Sequence, residues 1–471
     1  MNYLTVIGLE IHAELKTASK IFCSCENSFG GEKNTRVCPV CMGYPGTLPR
    51  LNKKVYKYAI LSALALDCKV ENYSAFDRKN YFYPDLPKAY QITQFEYPIS
   101  TGGVLNIQGK KIRINRIHIE EDAGKLIHDE NKNKTYIDFN RCGVPLIEIV
   151  TEPDFKSAEE VTEFVSEVAL RLKFAGVCDA HFQEGSIRVD VNLSLMREGS
   201  DVLGTRTEIK NLNSLKSIRR AIESEIKRQT EILESGGKIE RETLRFDEKL
   251  QKTVVLRKKA SSDDYRYFPE PDILPVLITD AEIKEIKAEL PMMPDEKIKL
   301  YKDSYGLTEY EAKLLVKDFS LSAFYDEVIA IFPRYKLCAN VILGDLSRLF
   351  NKHSKGVSEF LINSANFSEL LKMLDEKTIT KNSVFDILEV MALTGESPKN
   401  IAKEKGYIIE DDIGKISDIC DMILSENEEN VRLYKGGNTK LFGYFMGEAV
   451  RKLGKGVNPK TVREILLEKL E

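Results

Sequence analysis

The sequence predicts an α+β fold, with a mixed or antiparallel sheet in a first body and helices in the rest of the chain. Short segments in the first 290 or so residues alternate apolar and polar side chains, as half-buried strands do. Helical periodicity replaces this alternation beyond Pro291 and Pro294. The chain has 471 residues, which is about three times the length of a typical single-core domain. We therefore expect more than one domain.

Three segments carry the strand prediction. Residues 5–14 alternate and place Glu10 and His12 on one face. Residues 187–195 alternate more cleanly, with apolar odd positions and polar even positions, and residues 205–210 repeat the pattern. Because successive strand positions face opposite sides, each segment has one face for a core and one polar face.

Helix start signals mark the other elements. Ser157 and Glu160 have the spacing of a capping box and precede an apolar stripe at helical period. A second helix fits residues 214–234. Thr308 and Glu311 repeat the capping-box spacing, and Asn458 stands before a proline, as at the start of a helix.

The composition predicts three parts. A second boundary, besides the one near Pro294, falls near residues 396–430, an acidic stretch that precedes the basic residues 431–471. We expect an α+β body at 1–293, an all-helical domain at 294–405 and a small helical tail domain at 406–471.

Composition also excludes several classes of protein. With 42% hydrophobic and 30% charged residues the chain should fold. No apolar run reaches the roughly 18 residues that a membrane span needs. The first residues lack a secretory pattern and the nine cysteines are an odd number, so we expect reduced thiols and a cytoplasmic protein. A net charge of −4 means that any nucleic acid must be held by a local patch.

Four cysteines form the pattern C-x-C-x12-C-x2-C, namely Cys23, Cys25, Cys38 and Cys41. Two thiol pairs joined by a short loop can close a tetrahedral cage, and zinc is its usual occupant. Four thiolates leave no open position on the metal, so the predicted role is structural. The alternative is four unrelated buried thiols.

Acidic and histidine side chains stand on predicted strands in positions that suit chemistry. They are Glu10, His12, His118, Glu120, Glu148, Asp190 and Glu208. Glu148 interrupts an otherwise apolar run, where a carboxylate needs a partner. Carboxylate oxygens are the ligands that Mg²⁺ prefers. Solvated strand faces with ordinary ion pairs are the alternative, and spacing alone does not bring these residues together.

Two loops, at residues 77–91 and 264–272, mix aromatic and charged residues. Basic groups can hold phosphates while aromatic rings stack on bases. Aromatic packing with lysine stems along apolar surface is an equally good interpretation. The sequence contains neither a P-loop nor a dinucleotide-binding fingerprint, so a nucleotide-using site would be built from strands and metal.

Taken together, these segments resemble the B subunits of bacterial aspartyl/glutamyl-tRNA amidotransferases, the GatB family. The matching stretches are long and stand in family order: 8–15 (GLEIHAEL), 76–88 (FDRKNYFYPDLPK), 118–126 (HIEEDAGKL), 138–150 (DFNRCGVPLIEIV), 208–214 (EIKNLNS) and 265–272 (YRYFPEPD). A weaker match at 458–462 (NPKTV) extends the resemblance over almost the whole chain.

The resemblance implies a ligase of protein biosynthesis that works with two partners, an amidase (the A subunit) and a small protein (the C subunit). In this family, ATP phosphorylates the side-chain carboxylate of a mischarged Glu-tRNA(Gln) or Asp-tRNA(Asn). Ammonia, which the amidase releases from glutamine, then displaces the phosphate. The implied architecture is a cradle-shaped body, a helical domain and a tail domain that contacts tRNA.

The resemblance also implies roles for individual residues. The phosphoryl-transfer site would comprise Glu10, His12, Glu120, Glu121 and Glu148. Of these, Glu10, His12, Glu121 and Glu148 would be Mg²⁺ ligands, with Lys79 and Asp190 as neighbours that bind the nucleotide. The cysteine quartet would be a zinc site.

Two other classes of function stay open on the residues alone. One is a zinc-stabilised tRNA-binding or assembly module without chemistry of its own, and the other is a metal-dependent hydrolase that uses the same carboxylates.

Overall fold

The structure, a computed structural model, describes residues 3–258, 262–409, 413–454 and 457–470. The chain divides into two compact units, Met1–Pro294 and Asp295–Glu471. Strands and a few helices make up the first unit, and the elements of the second are helical. The predicted α+β class is confirmed.

The strands of the first unit follow one another along the chain as β1 (Tyr3–Glu14), β2 (Lys69–Val70), β3 (Tyr73–Ser74), β4 (Asp77–Asn80), β5 (Tyr90–Thr93), β6 (Ser100–Ile107), β7 (Lys110–Glu121), β8 (Lys125–Asp129), β9 (Lys134–Asp138), β10 (Pro145–Thr151), β11 (Ile187–Arg197), β12 (Thr207–Leu212), β13 (Glu242–Asp247), β14 (Lys252–Lys258), β15 (Phe268–Pro269) and β16 (Val276–Leu277).

Within the described residues, nine strands form one large sheet in the order β14-β13-β12-β11-β1-β10-β7-β6-β2. Its neighbouring strands are antiparallel, except that β12 and β13 run parallel. The predicted mixed sheet is therefore confirmed. A smaller sheet has the order β15-β4-β5.

The helices of the first unit are α1 (Lys53–Ala65), α2 (Ala158–Phe174), α3 (Leu215–Glu234) and α4 (Asp280–Ala288). The predicted start of α2 is half right: Ser157 Oγ accepts a hydrogen bond from Glu160 N at 3.2 Å. The Glu160 carboxylate, however, accepts from Lys156 N at 2.7 Å instead of closing the box at the Ser157 amide.

Helix α3 covers one face of the large sheet. Thr207, which precedes Glu208 on β12, donates a hydrogen bond to Glu225 of α3 at 2.9 Å. Since consecutive strand residues face opposite sides, Glu208 points away from this helix. The apolar residues of β1 and β11, such as Ile11 and Val191, are buried, so alternation fixes which face of the sheet becomes the core and which carries the polar groups.

The remaining helices are α5 (Pro294–Asp303), α6 (Glu309–Val316), α7 (Phe319–Ile331), α8 (Tyr335–Val341), α9 (Ser347–His353), α10 (Ser364–Asp375), α11 (Lys381–Thr394), α12 (Pro398–Glu404), α13 (Ile413–Glu426), α14 (Glu428–Lys435), α15 (Leu441–Leu453) and α16 (Pro459–Leu470). Thr308 and Glu311 form both bonds of the predicted capping box at α6. None of the described helices is long and apolar enough to cross a membrane.

The last helices share a hydrophobic cluster. Its buried members include Ile416 and Cys420 of α13, Phe445 of α15, and Val462 and Leu466 of α16. Residues 410–412, which lie just beyond the expected boundary at 405/406, are outside the described residues. The separation of a tail domain therefore stays a prediction.

Candidate active site

Polar side chains from four neighbouring strands share one face of the large sheet. In the antiparallel register, His12 of β1 lies opposite Glu148 of β10 and Arg188 of β11, and Glu148 lies opposite His118 of β7. Directly opposed residues of antiparallel strands point to the same face. One row across the sheet therefore carries these four side chains next to one another.

The first cluster consists of His12, Glu120 and Glu148. The distance from His12 Nε2 is 3.2 Å to Glu148 Oε2 and 3.4 Å to Glu120 Oε1. One donor atom from each of the three residues lies within 4.8 Å of the others. Residues from three separate strands, the first of them more than a hundred positions before the others, thus meet at one point.

His118 supports this cluster from the same strand as Glu120. Its Nε2 lies 3.3 Å from Glu148 Oε2 and 3.7 Å from Glu120 Oε2. Its Nδ1 is buried and has no hydrogen-bond partner within the described residues. The ring is therefore held by the two carboxylates, and in return it fixes their orientation.

The protonation states follow from burial and charge. Burial would raise the pKa of Glu148, but the imidazoles of His118 and His12 hold that pKa well below its ordinary value. Burial would lower the pKa of His12, but the carboxylates of Glu148 and Glu120 raise it to about 9. At neutral pH, without a metal, His12 is therefore a cation between two carboxylates.

The second cluster consists of Glu10, Asp190 and Glu208, whose carboxylate oxygens also lie within 4.8 Å of one another. Lys210 Nζ donates to Asp190 Oδ2 at 2.7 Å and lies 3.3 Å from Glu208 Oε1. Asn192 Nδ2 donates to Glu10 Oε1 at 3.0 Å. One lysine thus faces three carboxylates.

This imbalance of charge appears in the pKa values of the second cluster. Burial raises the pKa of Glu10, and the neighbouring carboxylates of Glu148 and Asp190 raise it further. Burial would raise the pKa of Asp190 too, but Lys210 and His12 lower it below the ordinary value. Glu148 acts on Glu10 although the two belong to different clusters, so the two clusters share one electrostatic site.

Lys79 comes from the small sheet and borders the first cluster. Burial would lower its pKa, but the Tyr267 hydroxyl and the carboxylates of Glu120 and Glu148 raise it. Its Nζ lies 5.1 Å from the centre of the Tyr265 ring. Lys79 is therefore a cation at the edge of an acidic site, where an anion can be received.

Glu121 does not join these clusters, since it follows Glu120 on the same strand and its side chain points to the opposite face of the sheet. Its carboxylate forms an ion pair with Lys88 and accepts a hydrogen bond from Ile92 N at 2.9 Å. Together with Lys88 and Cys41 it lines a cavity of about 70 Å³.

The four cysteines meet as the spacing predicts, with their Sγ atoms within 4.8 Å of one another. A hydrogen bond from Cys23 lowers the pKa of Cys41 to about 5. Lys20, which is 0% exposed, donates from Nζ to Arg36 O at 2.7 Å and lies 3.8 Å from Cys41 Sγ. A buried lysine therefore stands beside a thiol group whose pKa is lowered.

The donor sets fit two kinds of metal. Grouped buried carboxylates raise the energy of the fold unless a cation neutralises them. Oxygen donors with an imidazole suit a hard divalent ion such as Mg²⁺ or Mn²⁺, whereas four sulfur donors suit zinc.

Comparison with known proteins identifies the family. The model of the GatB/GatE catalytic domain matches residues 5–284, and that of the GatB domain matches residues 323–470. This chain belongs to the GatB family. The first of these matches spans the strands that carry both clusters.

Curated GatB proteins are similar over all or nearly all of their length, and each is described as the B subunit of an aspartyl/glutamyl-tRNA(Asn/Gln) amidotransferase. The protein of Ruminiclostridium cellulolyticum is 48% identical over 100% of this chain and 98% of its own. Those of Caldicellulosiruptor saccharolyticus and Clostridium novyi are 47% and 44% identical over 100% of both chains.

Sequence reasoning did not identify every member of this GatB site. Lys210 and Asn192 stand out in the sequence only as polar strand positions, and His118 was named as a candidate but given no role. The sequence does carry a signal for them: each lies two residues from a candidate acid on the same strand and therefore faces the same side of the sheet.

Proposed function

We propose that this chain is the B subunit of a tRNA-dependent amidotransferase and carries the site that activates the amino acid of a mischarged tRNA. Its relatives are described as B subunits of aspartyl/glutamyl-tRNA(Asn/Gln) amidotransferases. The observation that carries the proposal is the first cluster, where His12 Nε2 lies 3.2 Å and 3.4 Å from two carboxylates.

The substrate explains why such a site is needed. The side-chain carboxylate of Glu-tRNA(Gln) or Asp-tRNA(Asn) is a poor electrophile because its oxygen is a poor leaving group. In the proposed reaction, a carboxylate oxygen attacks the terminal phosphorus of ATP, giving an acyl phosphate and ADP. Ammonia then attacks the acyl carbon, the carbon–oxygen bond breaks, and phosphate leaves. The product is Gln-tRNA(Gln) or Asn-tRNA(Asn), so the enzyme is an ATP-dependent carbon–nitrogen ligase.

His12, Glu120, Glu148 and Glu10 would hold Mg²⁺ in this proposal. When bound, the ion offsets the negative charge on the phosphates and on the carboxylate that approaches them. His118 keeps Glu148 in place, and Lys79 receives a phosphate oxygen at the border of the cluster. Lys210 Nζ donates to Asp190 Oδ2 at 2.7 Å and so orders this carboxylate. Asp190 would help to bind the nucleotide in this orientation.

We propose for Glu121 a role other than the Mg²⁺ ligation that the resemblance implied. Its ion pair with Lys88 occupies its carboxylate, so we propose that it acts by ordering the strands β5 and β7 and not as a Mg²⁺ ligand.

The zinc site and the domain plan complete the proposal. The cysteine quartet would hold a structural Zn²⁺ that braces the segment after β1. The body at 1–293 would carry the chemistry, the helical domain at 294–405 would follow it, and the tail domain at 406–471 would contact tRNA. The hydrophobic cluster shared by α13, α15 and α16 supports a tail with its own core.

The proposed reaction consumes ammonia, and this need implies partner subunits. The ammonia would come from glutamine through an amidase, the A subunit, which would assemble with this chain and a small C subunit into a heterotrimer. A translation enzyme of this kind would work in the cytoplasm.

The test is Glu148→Gln, which keeps the shape of the side chain and removes its charge. In the complex assembled with its partner proteins, we expect tRNA-dependent ATP turnover and amidation to fall roughly 100- to 1,000-fold in kcat, because preorganised charge is lost. Glu152→Gln is the matched control: Glu152 lies four residues further on and accepts a hydrogen bond from the exposed Asn115 side chain at 2.7 Å.

The rival functions give different results in the same assay. A tRNA-binding module without chemistry predicts unchanged amidation in the Glu148→Gln complex. A metal-dependent hydrolase predicts phosphate release without any mischarged tRNA. Either result, with normal assembly of the complex, contradicts the proposal.

A further inference from the structure

The two loops rich in aromatic and charged residues, 77–91 and 264–272, lie side by side. Strand β15 pairs with β4, so Phe268 lies opposite Arg78. Asn80 Nδ2 donates to Arg266 O at 2.8 Å, and Arg78 Nε donates to Glu270 Oε2 at 2.7 Å. The loops after β4 and before β15 are thereby fixed to each other.

Aromatic rings from both loops form one surface, which we call the aromatic wall: Tyr81, Phe82, Tyr265 and Tyr267. Tyr265 makes edge contacts with Tyr81 and with Tyr267, each at a centroid distance of 6.1 Å. Phe82 is 77% exposed, and the Arg266 guanidinium lies 6.0 Å from its ring centre. An exposed ring beside a cation, on a loop that is held in place, is typical of a binding surface.

Strand β5 joins the wall to the first cluster: Thr93 Oγ1 donates to Glu120 Oε2 at 3.4 Å, and Phe95, two residues further on, stacks against the Tyr267 ring at a centroid distance of 4.3 Å. Lys79 Nζ lies 5.1 Å from the Tyr265 ring centre. Burial raises the pKa of Tyr267, and the carboxylates of Glu120 and Glu148 raise it further. The pKa of Tyr81 rises through burial and through Glu120 as well. A ligand stacked on the wall would therefore have its next group within reach of the clustered carboxylates.

We propose that the aromatic wall binds the single-stranded 3′ end of the aminoacyl-tRNA by stacking on its unpaired bases. This inference rests on the proposed function, in which the amino acid to be phosphorylated is esterified to the last nucleotide of the tRNA. The terminal bases must then lie about one nucleotide away from the first cluster. Arg266 would accompany the stacked bases as a cation.

Single-stranded nucleic acid is favoured over a free nucleotide as the occupant for two reasons. The wall offers several rings from two loops, which suits a run of unpaired bases, whereas ATP brings one base. Phe82 also faces solvent on a loop, where the end of a large ligand can enter. Stacking on aromatic side chains is the usual way in which unpaired bases are bound.

The experiment uses the assembled amidotransferase and two ligands, the mischarged tRNA and the same tRNA without its three 3′-terminal nucleotides. The wild-type complex should bind the intact tRNA more tightly. We expect Phe82→Ala and Tyr265→Ala each to weaken binding of the intact tRNA roughly 5- to 100-fold, with little effect on the shortened one. Phe82→Tyr and Tyr265→Phe should restore binding, since they keep the ring.

Phe29→Ala is the matched control, because Phe29 is also an exposed phenylalanine, at 67%, but lies in the loop between the cysteine pairs. It should leave both affinities unchanged.

Three results would overturn the inference. In the first, the KM for ATP rises in the alanine variants while the two tRNAs are bound as by the wild type, which assigns the wall to the adenine of ATP. In the second, both tRNAs lose affinity equally, which assigns the rings a structural role. In the third, no affinity changes. If the wild type binds as expected and the variants lose the difference, but no tRNA-dependent ATP turnover occurs, the stacking inference holds and the proposed function fails.

Discussion

His12 is one of two histidines through which the first cluster responds to pH, since the carboxylates of Glu148 and Glu120 also raise the pKa of His118 against the effect of burial. The pKa of His12 is raised to about 9 by Glu148 and Glu120, against the effect of burial. A group whose folded pKa is raised stabilises the fold fully below its unfolded value, near 6.5, and this contribution is lost as the pH rises through about 9. The protonated ring thus balances the carboxylates in the absence of a metal.

This charge state predicts how metal binding depends on pH. A divalent ion binds the neutral imidazole, so the proton on His12 has to leave first. We expect the affinity for Mn²⁺ to rise up to about tenfold per pH unit between about pH 7 and 9, with release of about one proton per ion. Isothermal titration in buffers of different ionisation enthalpy measures both quantities.

His12→Asn is the comparison variant for this titration. It should bind Mn²⁺ more weakly and show a smaller pH dependence in that interval than the wild type. An affinity in the wild type that stays flat across the same interval would contradict this account of His12.

The sequence did not show which of the two consecutive acids Glu120 and Glu121 faces the first cluster. Glu120 and Glu121 were both expected in the site, although alternation along β7 lets only one of two consecutive residues face the first cluster. Lys88 binds the other. The alternation along the strand was visible in the sequence. Which face of the sheet each side chain occupies depends on contacts with residues far away in the chain.

Among the elements, strands and helix starts were well predicted because their signals are local. The prediction for residues 187–195 is confirmed by β11, and that for residues 214–234 by α3 with Ser214 as its N-cap. The register between strands was not predictable. His12 lies opposite Glu148 because β1 pairs with β10, and this pairing depends on the whole sheet.

The cysteine segment gives a prediction at the level of one element. Purified protein should contain about one zinc per chain, and Cys41→Ser should reduce this to almost none. Lys20→Met should weaken zinc binding roughly 10- to 100-fold in competition with a chelator, because the cation next to the Cys41 thiolate is lost.

Lys16→Met is the control for Lys20, since Lys16 is exposed and its Nζ lies 3.0 Å from Asp179 Oδ1. It should leave zinc affinity unchanged. Wild-type protein without zinc and with four freely alkylated thiols would end the zinc assignment.

Removal of the proposed tail domain at 406–471 should weaken tRNA binding and leave the first unit intact. Deletion from residue 408 should leave the first unit folded and the complex assembled, because the hydrophobic cluster that is lost belongs to the last helices. We expect tRNA affinity to fall about tenfold or more and to depend less on salt, since basic contacts to phosphates are lost. Filter binding at several salt concentrations measures both effects.

At saturating tRNA the shortened complex should keep its kcat for amidation, because both carboxylate clusters lie in the first unit. Unchanged tRNA affinity after the deletion would show that the tail is not a docking element.

In the proposed function, the first cluster promotes phosphorylation of the substrate's carboxylate. This step is tested most directly by labelling both oxygens of that side-chain carboxylate with ¹⁸O and analysing the phosphate released during amidation. We expect one ¹⁸O atom in each phosphate, because the oxygen that attacks ATP leaves with the phosphate, and almost no phosphate from the Glu148→Gln complex. Phosphate without ¹⁸O, formed together with the amide, would contradict the proposal.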